Sequence, residues 1–371
     1  MIKPAKHTDI ALFVPILVGG GAERVMVDLA NGFAERGLAV DMILNNHQGV
    51  YLSSLSFEVR QVHLGVKRTA LALPKLVSYL RASQPKALLS TLEHANAVSL
   101  MANFLAGSKS RVIVREANTT SSGQKINTRL SAKIVYQLLR WLYVKASGIV
   151  AVSEGVAQDL IQTYNIPAHK VSVILNPVLT QRVFDLALLP CPHPWLQQDD
   201  IPVILGVGRL SAQKDYPTLI RAFAKVRSQR PVKLIILGEG DDRKALESLV
   251  QELKLSDDVS FPGFADNPFC YMAKASVFVL SSIFEGLPNT LIQAMALGTQ
   301  AVATDCPSGP QEILAGGLYG ALIPMQNEQE MATAIQKTLD SPSYSVDQAW
   351  RQRYEANAII DKYLHILGFA Q

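Results

Sequence analysis

Short runs of β-branched and aliphatic residues alternate with longer stretches of helical periodicity, and this alternation constrains the fold more than any other feature of the sequence. DIALFVPIL, VDMIL, ALLST, RVIVRE, GIVAVS and VSVIL read as strands, and ERVMVDLANGFAERG reads as an amphipathic helix ending at Gly37. Strands that alternate with helices build a parallel sheet covered on both faces. The pattern restarts after residue 180. LALLPCPHPWLQQDDIP, rich in proline and polar residues, reads as a loop, and PVILGVG, VKLIILG, VSFPG, VFVLS and AVAT follow as a second set of strands. The expected fold class is α/β: two Rossmann-like, doubly wound domains, 1–180 and 181–371, with a boundary near 176–200. The final helical segment, near 345–366, is a candidate to cross back onto the first domain. A length of 371 residues suits two domains. Ligands of open α/β sheets bind outside the carboxyl ends of the strands. The residues just after each strand are therefore the ones to search for chemistry, and two such sheets facing each other would form an interdomain cleft.

Composition narrows the functional classes. Apolar residues make up 49% of the chain and charged residues 18%, which supports a large core and excludes wholesale disorder. No stretch reaches the roughly 18–20 uninterrupted apolar residues that a spanning helix needs. The apolar run near the N-terminus is short and ends in glycines followed by Glu23 and Arg24, so it reads as a buried first strand and not as a signal peptide. Cys191, Cys270 and Cys306 are an odd number without metal-ligand spacing, which points to reduced thiols in a cytosolic protein. Residues 1–180 hold 19 Lys and Arg against 10 Asp and Glu, and the remainder 16 against 21. A basic first half fits an anionic partner, whether a membrane surface, a lipid pyrophosphate or a nucleic acid, or is simply surface variation.

Three strand-to-helix junctions carry candidate chemistry. Gly19-Gly20-Gly21-Ala22-Glu23-Arg24 follows a predicted strand and opens a helix. Its glycines allow close backbone approach, and a helix N-terminus offers free N–H groups to a phosphate. The spacing matches neither the dinucleotide fingerprint nor a P-loop, and a tight turn alone also explains it. Gly208-Arg209-Leu210, with Lys214 behind, follows the strand PVILGVG. Arg209 and Lys214 can converge on a diphosphate there, or stand as two solvated charges. The third junction runs from Ser281 and Ser282 through Ile283, Phe284, Glu285, Gly286, Leu287, Pro288, Asn289 and Thr290 into LIQAMALG. Pro288 suits the first turn of a helix whose N–H groups would hold a phosphate. Glu285 could reach a sugar's hydroxyls, and Gln293, about two turns into the helix, lies further along the same wall. A nucleoside would span that distance.

In their order along the chain, GRLSAQKDYPTLIRAF, GFADNP and SIFEGLPNTLIQAMALGTQAVATDCPSGPQEIL resemble glycosyltransferase family 4, retaining enzymes of the GT-B fold. The resemblance covers essentially the whole length and is strongest over 203–313. Within the family the chain is most similar to bacterial enzymes that extend undecaprenyl-diphosphate-linked oligosaccharides, and it also resembles enzymes of capsule, exopolysaccharide and lipopolysaccharide assembly. The resemblance implies a nucleotide-sugar donor, with UDP-hexose or UDP-N-acetylhexosamine favoured. It also implies an undecaprenyl-diphosphate-linked glycan as acceptor, and no metal or other cofactor.

Residue by residue, the resemblance assigns Arg209 and Lys214 to the donor diphosphate, where they would stabilise the charge of the leaving nucleotide. Glu285 takes the first acidic position of the family's E-x7-E motif and would hold the donor sugar. Gly208, Gly286, Leu287, Pro288 and Asn289 would lie along the phosphates, Gly263 and Phe264 by the nucleobase, and Gly20 and Gly21 would face the donor from the first domain. Gln293 departs from the family pattern, which has Glu there to accept from the ribose. A glutamine oxygen still accepts, without charge assistance, so weaker or altered nucleotide binding is expected. In STLEHANAVSL, Glu93, His94 and Asn96 follow a strand where relatives face the donor sugar and acceptor; either Glu93 or His94 fills the position of the histidine that some members use, and a structural His94 is equally open. Arg115, Glu116 and Asn118 end the strand RVIVRE, where a basic residue could meet acceptor phosphates or form a surface ion pair.

Residues 117–153 contain no acidic side chain but carry Lys125, Arg129, Lys133, Arg140 and Lys145, interleaved with Leu130, Ile134, Leu138, Leu139, Trp141 and Leu142. A basic amphipathic helix of this kind can lie on anionic lipid. The expected localisation is cytoplasmic, peripheral on the inner face of the cytoplasmic membrane. No nucleic-acid motif accompanies the basic half. A lipopolysaccharide core or soluble acceptor, and a non-catalytic nucleotide-sugar-binding subunit, are the alternatives.

Overall fold

Seven strands form the first sheet: β1 (Ile10–Phe13), β2 (Val40–Leu44), β3 (Arg60–His63), β4 (Ala87–Thr91), β5 (Arg111–Glu116), β6 (Gly148–Ala151) and β7 (Val171–Val173). The second sheet has six: β8 (Val203–Val207), β9 (Lys233–Leu237), β10 (Val259–Gly263), β11 (Val277–Leu280), β12 (Gln300–Thr304) and β13 (Ala321–Ile323). The structure, a computed structural model, describes residues 7–126, 130–197, 200–342 and 345–369. Their order is β3-β2-β1-β4-β5-β6-β7 in one sheet and β10-β9-β8-β11-β12-β13 in the other, with every pairing parallel. In each sheet the order reverses once, at β1/β4 and at β8/β11. These are the topological switch points at which doubly wound folds bind ligands.

The strands read as unbroken apolar runs because both of their faces are covered. Ile10, Leu12 and Phe13 of β1 and Leu234, Ile235 and Ile236 of β9 are fully buried. Each such side chain contributes about 1.5–3 kcal/mol relative to exposure. In the second sheet, Ile204, Leu234, Ile236, Val277 and Val279 share one core with Leu219 and Phe223 of helix Tyr216–Arg227 and Met331 and Ile335 of helix Glu328–Asp340. Two strands carry no such signal. β3 (RQVH) and β13 (ALI) lie at sheet edges, where only one residue in each is buried.

The chain divides into two units, Met1–Pro177 with Ala356–Gln371, and Val178–Glu355. Two of the sequence boundaries need correction. Residues 356–371 belong to the first unit and not to a 181–371 domain, and of the 345–366 segment only the part from Ala356 does. The preceding helix, Gln348–Gln352, stays in the second unit because buried Trp350 donates Nε1–H to the Ile313 carbonyl at 2.8 Å and lies tilted against the Tyr354 ring. Helix Ala356–Leu367 is held in the first unit by Arg36, which bonds Asp361 at 2.9 Å, and by Ile360 packed against Gly32 of helix Gly21–Glu35.

Candidate active site

In the second unit, Lys214 and Glu285 leave from the two strands that flank the switch point. β8 runs into Gly208 and Arg209, and Lys214 ends a short 3-10 turn, Ala212–Lys214. β11 runs into Ser281–Pro288, and helix Asn289–Ala296 begins after Pro288. Lys214 Nζ meets Glu285 Oε1 at 2.5 Å, with side chains 16% and 8% exposed. The fully buried Ser282 donates its hydroxyl to the same Oε1 at 2.6 Å. The two loops are fastened by backbone and side-chain bonds: Ser281 Oγ–H to the Lys214 carbonyl at 2.6 Å, Ile283 N–H to the Gln213 carbonyl at 2.9 Å, and Gln213 Nε2 to the Phe284 carbonyl at 3.0 Å. A Cβ on Gly208 would stand 3.0 Å from Lys214 Cε, so the absence of a side chain there leaves the lysine its path. Arg209 is exposed, and its side chain makes no ion pair or hydrogen bond among the described residues. One cation is thus committed to a carboxylate, and its neighbour is uncommitted. Buried Cys306 lies close to Glu285, and burial with that negative charge pushes its thiol up to about 12.

Two close approaches, invisible as motifs, set this geometry. Gly238, at φ +135°, lies so near β8 that a Cβ would fall 2.0 Å from the Gly208 carbonyl oxygen. Its N–H in turn bonds the Gly263 carbonyl at 2.8 Å, which ties the end of β10 to the turn after β9. Gly309, at φ +95°, packs so closely that a Cβ would stand 2.5 Å from Pro288 Cδ and 3.0 Å from the Gly286 carbonyl. Larger residues at either position would displace the loops that carry Arg209 or Glu285.

Gly286, Leu287 and Pro288 are buried and Asn289 is half-buried at the helix start. Pro288 is the residue before the helix and not within its first turn, because the segment from Glu285 is pinned by its N–H bond to the Pro307 carbonyl at 3.0 Å. Gln293 is consequently about one turn into the helix and not two. Its Nε2 donates to the Val178 carbonyl at 3.4 Å, a bond that a carboxylate could not make. Gly263 ends β10, and Phe264 follows it, 43% exposed.

In the first unit, the Gly-rich turn is occupied from within. Gly20 precedes helix Gly21–Glu35, and its N–H bonds Glu23 Oε2 at 2.5 Å. That donor therefore serves a carboxylate of the chain, as in a capping box, and is not free for a phosphate.

The β4 and β5 ends gather Glu93, His94, Asn96, Arg115, Glu116 and Asn118, but they do not all face outward. Leu92 holds φ +78° at the start of helix Glu93–Ala106, a conformation rarely adopted by a side chain of this size and typical of functional turns. His94 is accessible at the surface, and the protein packed around its ring holds its pKa below the ordinary value. Burial raises the Glu93 carboxyl above its ordinary range. Asn96 is wholly buried: it accepts from Ser90 Oγ at 2.8 Å and donates to the Arg115 carbonyl at 3.2 Å, to Glu116 Oε1 at 2.9 Å and to the Tyr143 hydroxyl at 3.1 Å. Glu116 also accepts from the Tyr143 hydroxyl. Burial first, and the charge of Glu93 second, push its pKa up to about 8.

Arg115 is 0% exposed and bonds Thr91 Oγ1 at 3.0 Å, Asn176 Oδ1 at 2.6 Å and the Tyr363 hydroxyl at 3.1 Å. It forms neither an acceptor contact nor a surface ion pair; it joins β4, the segment after β7 and the C-terminal helix. Arg115, Asn96 and Glu116 are therefore internal, whereas His94 is accessible. Half-buried Asn118 accepts from the Thr119 N–H at 3.0 Å.

The described residues of the basic segment are helical over Thr120–Ile126 and Leu130–Leu142, with Lys125 in the first stretch and Lys133 in the second. Arg129 lies outside the described residues. Within Leu130–Leu142, Leu139 is buried, while Ile134 and Trp141 are 59% and 74% exposed beside exposed Lys133 and Arg140. Among the described residues no helix is long and apolar enough to cross a membrane.

With this geometry in hand, comparison with known proteins is consistent along the chain. Residues 19–182 match the model for Glycosyltransferase Family 4 and residues 193–358 that for Glycosyl transferases group 1. The chain is 30% identical over 370 residues, 94% of its length and 93% of the relative's, to N-acetylgalactosamine-N,N'-diacetylbacillosaminyl-diphospho-undecaprenol 4-alpha-N-acetylgalactosaminyltransferase of Campylobacter jejuni. Among solved structures, sucrose-phosphate synthase of Thermosynechococcus elongatus superposes with a TM-score of 0.81 at 20% identity, over 97% of this chain and 98% of that one. HepE of Anabaena, in complex with UDP and glucose, superposes with a TM-score of 0.74 at 20% identity, over 98% and 97%. The two parallel sheets with their paired switch points are those of the GT-B fold. The chain belongs to glycosyltransferase family 4 and is a nucleotide-sugar-dependent glycosyltransferase of glycan biosynthesis.

Proposed function

We propose that the chain transfers a hexose or N-acetylhexosamine from a UDP-sugar to an undecaprenyl-diphosphate-linked glycan, with retention of configuration and without a resident metal, on the cytoplasmic face of the membrane. The observation that carries the donor half is the Lys214–Glu285 pair beside uncommitted Arg209 at the β8/β11 switch point. Arg209 offers a bidentate fork and Lys214 two further N–H donors to the diphosphate, and the Glu285 carboxylate would accept from a sugar hydroxyl. The acceptor oxygen bonds to the anomeric carbon as the bond from that carbon to the diphosphate oxygen breaks. The departing phosphate takes the acceptor's proton, and the two cations stabilise the charge it gains. No side-chain nucleophile enters this scheme.

The acceptor half is supported by the likeness to a diphospho-undecaprenol glycosyltransferase along nearly the whole of both chains. The face of Ile134 and Trp141 with Lys133 and Arg140 supports residence on anionic lipid. Initial rates with UDP-, GDP- and ADP-sugars, with and without an undecaprenyl-diphosphate-linked glycan, test the reading. Turnover of a UDP-sugar that depends on the lipid-linked acceptor supports it; transfer to a lipopolysaccharide core or a soluble sugar alone overturns the acceptor assignment. Gln293 is the one feature that favours a non-catalytic subunit, and nucleotide binding without turnover of any donor would establish that alternative.

A further inference from the structure

The carboxyl ends of β2 and β3 form a second polar edge in the first unit, on the opposite side of the β1/β4 switch point from His94. β2 runs into Asn45–His47 and β3 into Leu64–Arg68, and the two loops are bonded into one ledge. Leu64 N–H reaches the Leu44 carbonyl at 2.8 Å and Val66 N–H the Asn45 carbonyl at 2.9 Å. Asn45 Nδ2 donates to Thr69 Oγ1 at 3.2 Å, and Lys75 Nζ ties down the Leu64 carbonyl at 2.6 Å. His63 Nδ1–H donates to the Asn46 carbonyl at 3.2 Å, which leaves its Nε2 to accept from His47 Nδ1–H at 2.8 Å.

On this ledge Lys67 and Arg68 are exposed, and their side chains make no ion pair or hydrogen bond among the described residues. Nothing nearby in the sequence neutralises them. Between Asp41 and Glu93 the only acidic residue is Glu58, which precedes β3 and so lies toward the opposite end of that strand; Asp41 itself is taken by Arg60. Two adjacent unpaired cations on a fixed loop repel each other, and a divalent anion relieves that repulsion. The side-chain amide oxygens of Asn45 and Asn46 are buried with no hydrogen-bond partner among the described residues. Unmet acceptors of this kind call for a donor, and sugar hydroxyls are donors. A ligand that joins hydroxyls to a doubly charged anion is a glycosyl diphosphate. Under the function proposed above, Arg209 and Lys214 serve the donor's diphosphate, so a second cation pair is available for the acceptor's.

We infer that Lys67 and Arg68 bind the diphosphate of the acceptor, an assignment that rests on the lipid-diphosphate acceptor proposed above. The test is initial-rate kinetics in detergent micelles with an undecaprenyl-diphosphate-linked glycan, varying donor and acceptor separately. Lys67→Ala and Arg68→Ala should each raise the acceptor KM about tenfold, which is about 1.4 kcal/mol per contact. The donor KM should move less than twofold, and Arg68→Lys should recover part of the loss. Lys109→Ala, an exposed lysine before β5, is the control and should change neither constant.

If the acceptor is used and both variants leave its KM within twofold of wild type, the inference is overturned. It is also overturned if the defect appears only with vesicles of anionic phospholipid and not in micelles, because the cations then serve lipid headgroups. If wild type transfers only to an acceptor without a diphosphate, the acceptor assignment itself fails and this inference with it.

Discussion

Removing one member of the Lys214–Glu285 pair takes the counter-charge from the other where little solvent can reach it. Breaking a buried ion pair from one side costs about 3–5 kcal/mol. Lys214 keeps 16% of its side-chain surface, so Glu285→Ala falls at the lower end, about 3 kcal/mol. Lys214→Ala strands a carboxylate that is 8% exposed but still holds the Ser282 hydroxyl, and its cost is similar, about 3 kcal/mol. The double variant Lys214→Met, Glu285→Gln removes both charges while keeping most of the volume. Its loss should fall short of the sum of the single losses by about 2 kcal/mol, within the range found for residues in direct contact. Urea unfolding followed by tryptophan fluorescence measures this, because two of the three tryptophans, Trp195 and Trp350, lie in the second unit. All three variants should lose donor turnover, including the double variant whose stability is recovered. Additivity of the single losses to within about 0.5 kcal/mol would refute the pair as a coupled, desolvated unit.

Arg209→Ala should leave the unfolding midpoint unchanged, since the side chain is exposed and uncommitted, yet lower kcat about 10²–10³-fold if it stabilises the leaving diphosphate; unaltered kcat would remove it from the mechanism. Arg115→Ala should destabilise the first unit by about 3 kcal/mol or more, because it removes three buried hydrogen bonds from a charged donor, at about 1.5–3 kcal/mol each. A stable Arg115→Ala protein with only a raised acceptor KM would instead make this residue an acceptor contact. Glu116, raised to about 8 by burial and by Glu93, binds its proton in the folded chain where the unfolded chain has lost it. Its stabilising contribution is therefore complete below about pH 4.5, falls as pH rises and is gone above about pH 8. Glu116→Gln should flatten the dependence of stability on pH across that window, and urea midpoints at pH 5, 7 and 9 would show whether it does.

The buried strands were legible because helices cover both faces of each sheet, so apolar runs such as VILGV and VFVL have no polar alternation to hide them. β3 and β13 were not legible because RQVH holds one apolar residue in four and ALI is only three residues long, whereas the equally short edge strand β7 was legible because VSVIL carries its apolar run on to Ile174. Lys214 and Glu285 were legible as charged residues in the loops that follow two buried strands, within motifs that resemble the family's. The same reading misled at β4 and β5. Arg115 and Asn96 also stand at or just after strand ends, yet their partners Thr91, Asn176, Tyr143 and Tyr363 come from four separate segments, and a polar network assembled over such distances leaves no local pattern. Gly238 and Gly309 were missed for a related reason, since each is required by the approach of another loop's backbone. Ser282 stood within the strongest motif, but its role depends on a rotamer that directs Oγ at Glu285.

The central claim is that the second unit binds a nucleotide-sugar for transfer to a lipid-linked glycan. The most direct test is release of nucleotide and transfer of labelled sugar by the purified full-length chain from a panel of UDP-, GDP- and ADP-sugars, with and without an undecaprenyl-diphosphate-linked glycan, for wild type and Glu285→Ala. The account predicts turnover of a UDP-sugar by wild type, dependent on the lipid-linked glycan and lost in the variant. Equal turnover by wild type and Glu285→Ala, or no turnover of any donor by wild type, would contradict it.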